Sequence, residues 1–110
     1  MTDGLNRIEA AIRGEESFKG KGYFFDSGLY SRYDWENDET DPGYPRKITD
    51  GWHGLPSGFE GDFDAAINGD GPFSGKCYIF KGDLYIRYDW ENDETDPGYP
   101  MKITDGWHGL

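Results

Sequence analysis

Carboxylates, two histidines, one thiol and four tryptophans are the groups in this chain that could do chemistry. Asp34, Glu36, Asp38, Glu39 and Asp41 crowd into one short stretch, and the cluster returns as Asp89, Glu91, Asp93, Glu94 and Asp96. Oxygen-rich loops suit hard cations such as calcium. The spacing lacks the central Gly and terminal Glu of an EF-hand loop. The stretch therefore reads as a solvated acidic loop, with a second calcium loop as the alternative. Its charge would also discourage edge-to-edge strand pairing. His53 and His108 precede identical Gly-Leu pairs. Imidazoles could ligate haem or a transition metal, but here they read as polar loop residues beside Trp52 and Trp107.

Cys77 is the only cysteine, so no intrachain disulfide is possible. Its alternation with Ile79 places it in a packed strand as a small buried hydrophobe. An intermolecular bridge or reactive thiol is the alternative. Arg32 and Arg87 alternate onto the faces of Asp34 and Asp89, which fits structural ion pairs better than anion recognition. Trp35, Trp52, Trp90 and Trp107 read as packing groups rather than a ligand platform. The chain has no G-x-S-x-G, no H-E-x-x-H and no phosphate-cradling Gly loop ending in Lys-Ser/Thr. The expectation is a protein that is not an enzyme.

These groups occur twice because the chain is two copies of one unit. A shift of 55 residues lays Leu29–Leu55 on Leu84–Leu110 with two mismatches, Ser31/Ile86 and Arg46/Met101. Arg32–Pro45 recurs unchanged as Arg87–Pro100. Upstream, Ala10-Ala11-Ile12 falls on Ala65-Ala66-Ile67, Phe18 on Phe73, Tyr23 on Tyr78 and Phe25 on Phe80. Residues 1–55 and 56–110 are the two repeats of one small domain. A unit of this length cannot bury its apolar face alone and stacks on neighbours.

Within each repeat the apolar alternation predicts short antiparallel strands. Leu5, Ile8, Ala11 and Ile12 could also follow a helical spacing capped by Gly14. The matching Phe63, Ala65 and Ile67 alternate as a strand, and equivalent units fold alike, so a strand is predicted for both. Gly20–Asp26 and Gly75–Lys81 form the next strands. Ser27-Gly28 and Gly82-Asp83 are hairpin turns that need positive φ. Leu29–Trp35 and Leu84–Trp90 follow, then the acidic loops. Arg46–Asp50 is predicted to make one or two helical turns before Gly51–Leu55 closes the unit. A meander with an outer fourth element is a propeller blade.

The net charge of −11 excludes nucleic-acid binding, which needs a basic footprint. It also disfavours anionic membrane surfaces. It permits metal cations, polyamines or basic proteins as partners, and otherwise serves solubility. No apolar run has the roughly 20 residues of a membrane span. Met1–Gly14 shows no apolar core of a signal peptide, and the compartment stays open.

The order Asp-Ala-Ala, Gly-Lys-x-Tyr-x-Phe, Leu-Tyr-x-Arg-Tyr-Asp, Gly-Tyr-Pro, Ile-x-Asp-Gly-Trp-x-Gly-Leu resembles the hemopexin-like repeat. In the second repeat these are Asp64–Ala66, Gly75–Phe80, Leu84–Asp89, Gly98–Pro100 and Ile103–Leu110. In the first they are Glu9–Ala11, Gly20–Phe25, Leu29–Asp34, Gly43–Pro45 and Ile48–Leu55. The chain is similar to the photopexin-like and plant seed-albumin branches rather than the disulfide-closed animal domains.

The resemblance implies a four-bladed β-propeller around a narrow axial tunnel. It implies calcium or sodium on the axis, often with chloride against backbone N–H groups. The cation would be held by backbone carbonyls at the Asp-Ala-Ala motif, here Glu9, Ala11, Asp64 and Ala66. Glu9 stands where the family favours Asp, which leaves its carbonyl in place.

Two repeats supply half a ring, and two chains about a twofold axis would close it. The expectation is thus an all-β homodimer, with binding or scaffolding as its role. Two other readings stay open. One is a polyamine- or haem-binding protein, with His53 and His108 as weak ligand candidates. The other is an engineered or recently duplicated fragment, since near-identity runs even through Glu36–Gly43, where packing is expected to demand little.

Overall fold

A computed structural model describes residues 4–110, so Met1–Asp3 of the N-terminal stretch lie outside it. In the first repeat, β1 (Ala10–Arg13), β2 (Lys21–Asp26) and β3 (Leu29–Asp34) form an antiparallel meander. Two short strands, β4 (Glu39–Thr40) and β5 (Arg46–Lys47), share the outer edge of β3. One helical turn, α1 (Ile48–Gly51), follows. The second repeat matches it as β6 (Ala65–Asn68), β7 (Lys76–Lys81), β8 (Leu84–Asp89), β9 (Glu94–Thr95), β10 (Met101–Lys102) and α2 (Ile103–Gly106). The strand prediction for the Ala-Ala-Ile segments holds in both repeats.

Arg46–Asp50 differs from its predicted helical turns. Arg46 and Lys47 pair with Tyr30 and Leu29, and the helix starts only at Ile48. The unpaired start of β3 offers backbone partners that a lone helical turn of this length cannot match.

Register is equivalent in the two sheets. Tyr23 faces Arg32 and Phe25 faces Tyr30, while Tyr78 faces Arg87 and Phe80 faces Tyr85. Two-residue hairpins set this register, and Ser27 and Gly82 take the expected positive φ. The glycine of each Asp-Gly-Trp motif has a steric cause. The Tyr30 hydroxyl fills the space a Cβ on Gly51 would need, and Tyr85 does the same at Gly106.

The core lies between the sheets. Ile12, Tyr23, Phe25 and Trp52 of the first blade pack with Ile79, Tyr88 and Trp90 of the second. Trp52 stands 4.8 Å from Tyr88 and 5.5 Å from Trp90, ring centre to ring centre. Tyr23 lies 5.7 Å from Trp90. The connection adds Phe59 and Phe63, with Phe63 5.2 Å from Phe25. Such aromatic pairs contribute about 0.5–1.5 kcal/mol each beyond area burial. Cys77 and Ile79 are both fully buried, as their alternation predicted.

Candidate functional site

The inner strands β1 and β6 run beside each other where the blades meet. Gly14 N–H donates to Lys21 at 2.9 Å and Gly69 N–H to Lys76 at 2.8 Å. Backbone direction alternates along an antiparallel strand. Ile12 and Ala10 therefore point their amides at β2, while Ala11 and Arg13 point theirs at the free inner edge. By the same phase Ala66 and Asn68 face the inner edge of β6. The Arg13 carbonyl on this edge accepts from Asn68 Nδ2 at 2.7 Å, which joins the two inner strands directly.

The side chains of Glu9 and Asp64 are engaged elsewhere. Glu9 Oε1 accepts from the Ser27 amide at 2.8 Å, and Asp64 Oδ2 accepts from the Gly82 amide at 2.7 Å. Each carboxylate thus caps the hairpin turn of its own blade. Glu9, one methylene longer than Asp64, makes the equivalent contact. Glu9 Oε2 also takes Arg7 at 2.7 Å. Among the described residues no cluster of three or more His, Cys, Asp or Glu side chains is placed to hold a metal. An ion on this axis would therefore rely on main-chain oxygen.

The histidines do not come together. His53 sits at the join between blades: its amide donates to the Tyr88 hydroxyl at 3.2 Å. Its carbonyl accepts from Thr95 N–H at 3.0 Å. Its ring Nδ1 lies 3.2 Å from Asp93 Oδ2. His108, its repeat counterpart, is exposed on the far side of the second blade.

The acidic loops are structurally committed. Asp41 takes Lys21 Nζ and Arg32 Nε, each at 2.7 Å. Asp96 takes Lys76 Nζ at 2.7 Å and Arg87 Nε at 2.6 Å. The Lys21 hydrogen bond, joined by Arg32, holds the Asp41 carboxyl below its ordinary value of 3.8. Asp34 and Asp89 cap their own turns through the amides of Glu36 and Glu91, both at 3.0 Å. Asp38 and Asp93 accept from Tyr33 and Tyr88. The arginines thus form structural ion pairs, with Asp41 and Asp96 rather than Asp34 and Asp89. The expectation that packing demands little of this loop is overturned. Asp93 and Thr95 of the second loop also touch the neighbouring blade, whereas residues 36–40 of the first are exposed.

A cleft of about 260 Å³ opens between the blades, lined by Tyr30, Arg32, Tyr44, Trp52 and Asp93. The Arg32 guanidinium lies 5.2 Å over the Tyr44 ring. Burial pushes the Tyr23 hydroxyl up to about 12 and raises the Cys77 thiol well above its ordinary value. Neither is poised as a nucleophile at neutral pH. Residue patterns did not reveal the blade-joining roles of His53 and Asp93. The available signal was their recurrence in register with Tyr88 and Thr95.

Two equivalent meanders stacked through one face, with their inner strands adjacent, define an all-β protein of two repeats. The chain belongs to the hemopexin family: the family profile, Hemopexin, matches residues 8–57 and 63–110. Matrix metallopeptidase-21 of Danio rerio is 40% identical over 110 residues, covering 94% of this chain and 18% of the relative. Human vitronectin is 42% identical over 81 residues, 72% of this chain and 15% of that protein.

Among solved structures, a 2S albumin seed protein from Dolichos superposes with a TM-score of 0.75 at 28% identity. A Cicer arietinum plant lectin described as having two metal-binding sites gives 0.72 at 27%. The hemopexin fold protein CP4 from cow pea gives 0.70 at 29%. Each covers 91% of this chain and 44% of the solved one. The chain thus spans under half of these structures and under a fifth of the curated relatives named.

Proposed function

We propose that this chain is a non-enzymatic binding scaffold, half of a four-bladed ring closed by a second chain, with a hard cation on the axis. The observation that carries this is the inner edge. Ala11 and Ala66 present main-chain carbonyls along neighbouring strands that no third strand covers. Carbonyl oxygen suits calcium or sodium. Glu9 and Ala11 with Asp64 and Ala66 would supply it, and two chains would double the donors. A chloride ion would take backbone N–H groups of the same edge. The cation would tie the inner strands together and hold the blades in one ring, leaving the outer loops to meet partners. The lectin's two metal sites and the seed-albumin likeness support this reading. The buried, strongly raised Tyr23 and Cys77 groups give no support to a reactive centre.

The test is thermal melting in a sodium-free buffer after EDTA, with calcium or sodium added back. A bound ion stabilises the folded state by RT ln(1 + [L]/Kd), about 2.7 kcal/mol at a hundredfold excess over Kd, and so raises the melting temperature. A rise with calcium or sodium is expected. Unchanged melting with both ions would remove the axial cation.

A further inference from the structure

We propose that the open face of the second blade is a docking surface for the outward face of the first blade of another copy. This join repeats the one the chain already makes internally. It deepens the ring reading above and rests on it for closure at two chains.

The internal join sets Ile12, Phe18, Tyr23, Phe25 and Trp52 against the outward side of the second blade, where Trp90 and Tyr88 stand. The second blade carries the same five residues as Ile67, Phe73, Tyr78, Phe80 and Trp107. No blade covers them within the chain. Ile67, Phe73, Tyr78 and Trp107 line a cleft of about 430 Å³ with Arg87 and Tyr99. Trp107 Nε1 on this face is a buried donor with no acceptor among the described residues.

Exposure points to the occupant. The large exposed hydrophobics among the described residues are Ile8, Leu29, Trp35, Ile67, Phe73 and Leu110. Shifted by one repeat, they become Phe63, Leu84, Trp90, Ile12, Phe18 and Leu55, and each of those is buried or packed on the core. Trp35 is 54% exposed and Trp90 2%; Ile67 is 56% exposed and Ile12 7%. The six divide between the two free sides of the chain, so one side supplies what the other lacks. An unrelated partner would not need both sides to mirror a join already formed.

Polar groups keep the same register. Internally His53 meets the Tyr88 hydroxyl, Asp93 and Thr95. Their counterparts His108, Tyr33, Asp38 and Thr40 are all present. Docking sets His108 of one chain against Tyr33, Asp38 and Thr40 of the other.

Where the outward faces differ, the volumes trade. Cys77, Ile79 and Ile86 become Gly22, Phe24 and Ser31. A Cβ on Gly22 would stand 2.9 Å from the Trp35 ring and 3.2 Å from Phe24. Gly22 therefore makes room for the larger Phe24. Repeating one head-to-tail join either closes a ring or runs on as a filament, and four blades close it at two chains.

Light scattering on Ile67→Lys and Trp35→Glu tests this. Both residues are exposed in the single chain, and the internal join keeps Ile12 and Trp90. The wild type is expected at about 25 kDa, twice the 12.5 kDa chain. Each variant should run as a folded monomer with its near-UV signal kept. An equimolar mixture of the two should recover the dimer mass, because one of its two joins has wild-type residues on both sides. A monomeric or open-ended wild type, variants of unchanged mass, or a mixture that stays monomeric would each overturn the proposal. A dimer whose melting ignores calcium and sodium removes only the cation. A cation response in a monomeric wild type removes the docking and the two-chain ring but keeps the cation.

Discussion

The two blades share nearly every residue from Leu29–Leu55 to Leu84–Leu110, but not their surroundings. Ile12 and Ile67 occupy the same strand position in the same tripeptide, yet one is buried and the other faces solvent. Trp90 and Trp35 show the reverse: the second blade buries its tryptophan and the first exposes it. Local sequence sets strand, register and turn alike in both copies. Burial depends on which side has a neighbour. Each blade thus has one satisfied face and one unsatisfied face, and the unsatisfied faces differ.

The sharpest way to break this comparison is to truncate both tryptophans. Trp90→Ala should lower chain stability by about 3–5 kcal/mol, the usual range for deleting a buried Trp. Trp35→Ala should shift it by roughly 0.5 kcal/mol or less. Urea unfolding at dilutions where the chain is monomeric reads both. Equal losses would mean that the outward faces are not different.

A smaller effect sharpens the same contrast from inside the blade. Gly51→Ala and Gly106→Ala each push a Cβ into the hydroxyl of Tyr30 or Tyr85. Overpacking of this kind typically destabilises by about 1–3 kcal/mol. The two variants should lose similar amounts, because the clash lies within a blade and ignores its neighbours. A large difference in their urea midpoints would show that the second blade yields where the first does not.

The smallest effect is electrostatic. The Asp41 carboxyl is held below 3.8 in the folded chain by Lys21 and Arg32. A depressed folded value means its contribution is full above the unfolded value and fades as pH falls through the folded one. Asp41→Asn should flatten the acid side of the melting profile. At neutral pH it should shift the midpoint by no more than roughly 4–8 °C, what about 1 kcal/mol produces in a small domain. Melting curves from pH 2 to 7 would show it. An unchanged acid limb in the variant would mean that Asp41 is not a linked group.

Much of the fold was legible because it rests on short-range patterns. Tyr23 and Phe25 alternate, Ser27-Gly28 turns, and the Asp-Gly-Trp motif recurs. Each of these acts within a few residues. The candidate site was read from the repeat pattern. Position in the repeat marked Ala11 and Ala66, which lie on β1 and β6. It did not reveal that the carboxylates of Glu9 and Asp64 cap hairpin turns, because that hydrogen bond spans 18 residues. The blade contact of the second acidic loop was hidden for a related reason: Asp93 meets His53 from 40 residues away. No local period encodes such a meeting.

Sequence alone determined the two-unit organisation, the three meander strands of each repeat, the hairpin turns and the family. These follow from near-identical repeats and from side-chain preferences that act locally. Only the tertiary structure decided which copy of each residue is buried, which carboxylate holds which cation, and which two faces remain open. Those outcomes depend on the order in which the blades stack. Ile12 in the first blade meets the second while its copy Ile67 faces solvent, and Trp90 in the second meets the first while its copy Trp35 is exposed.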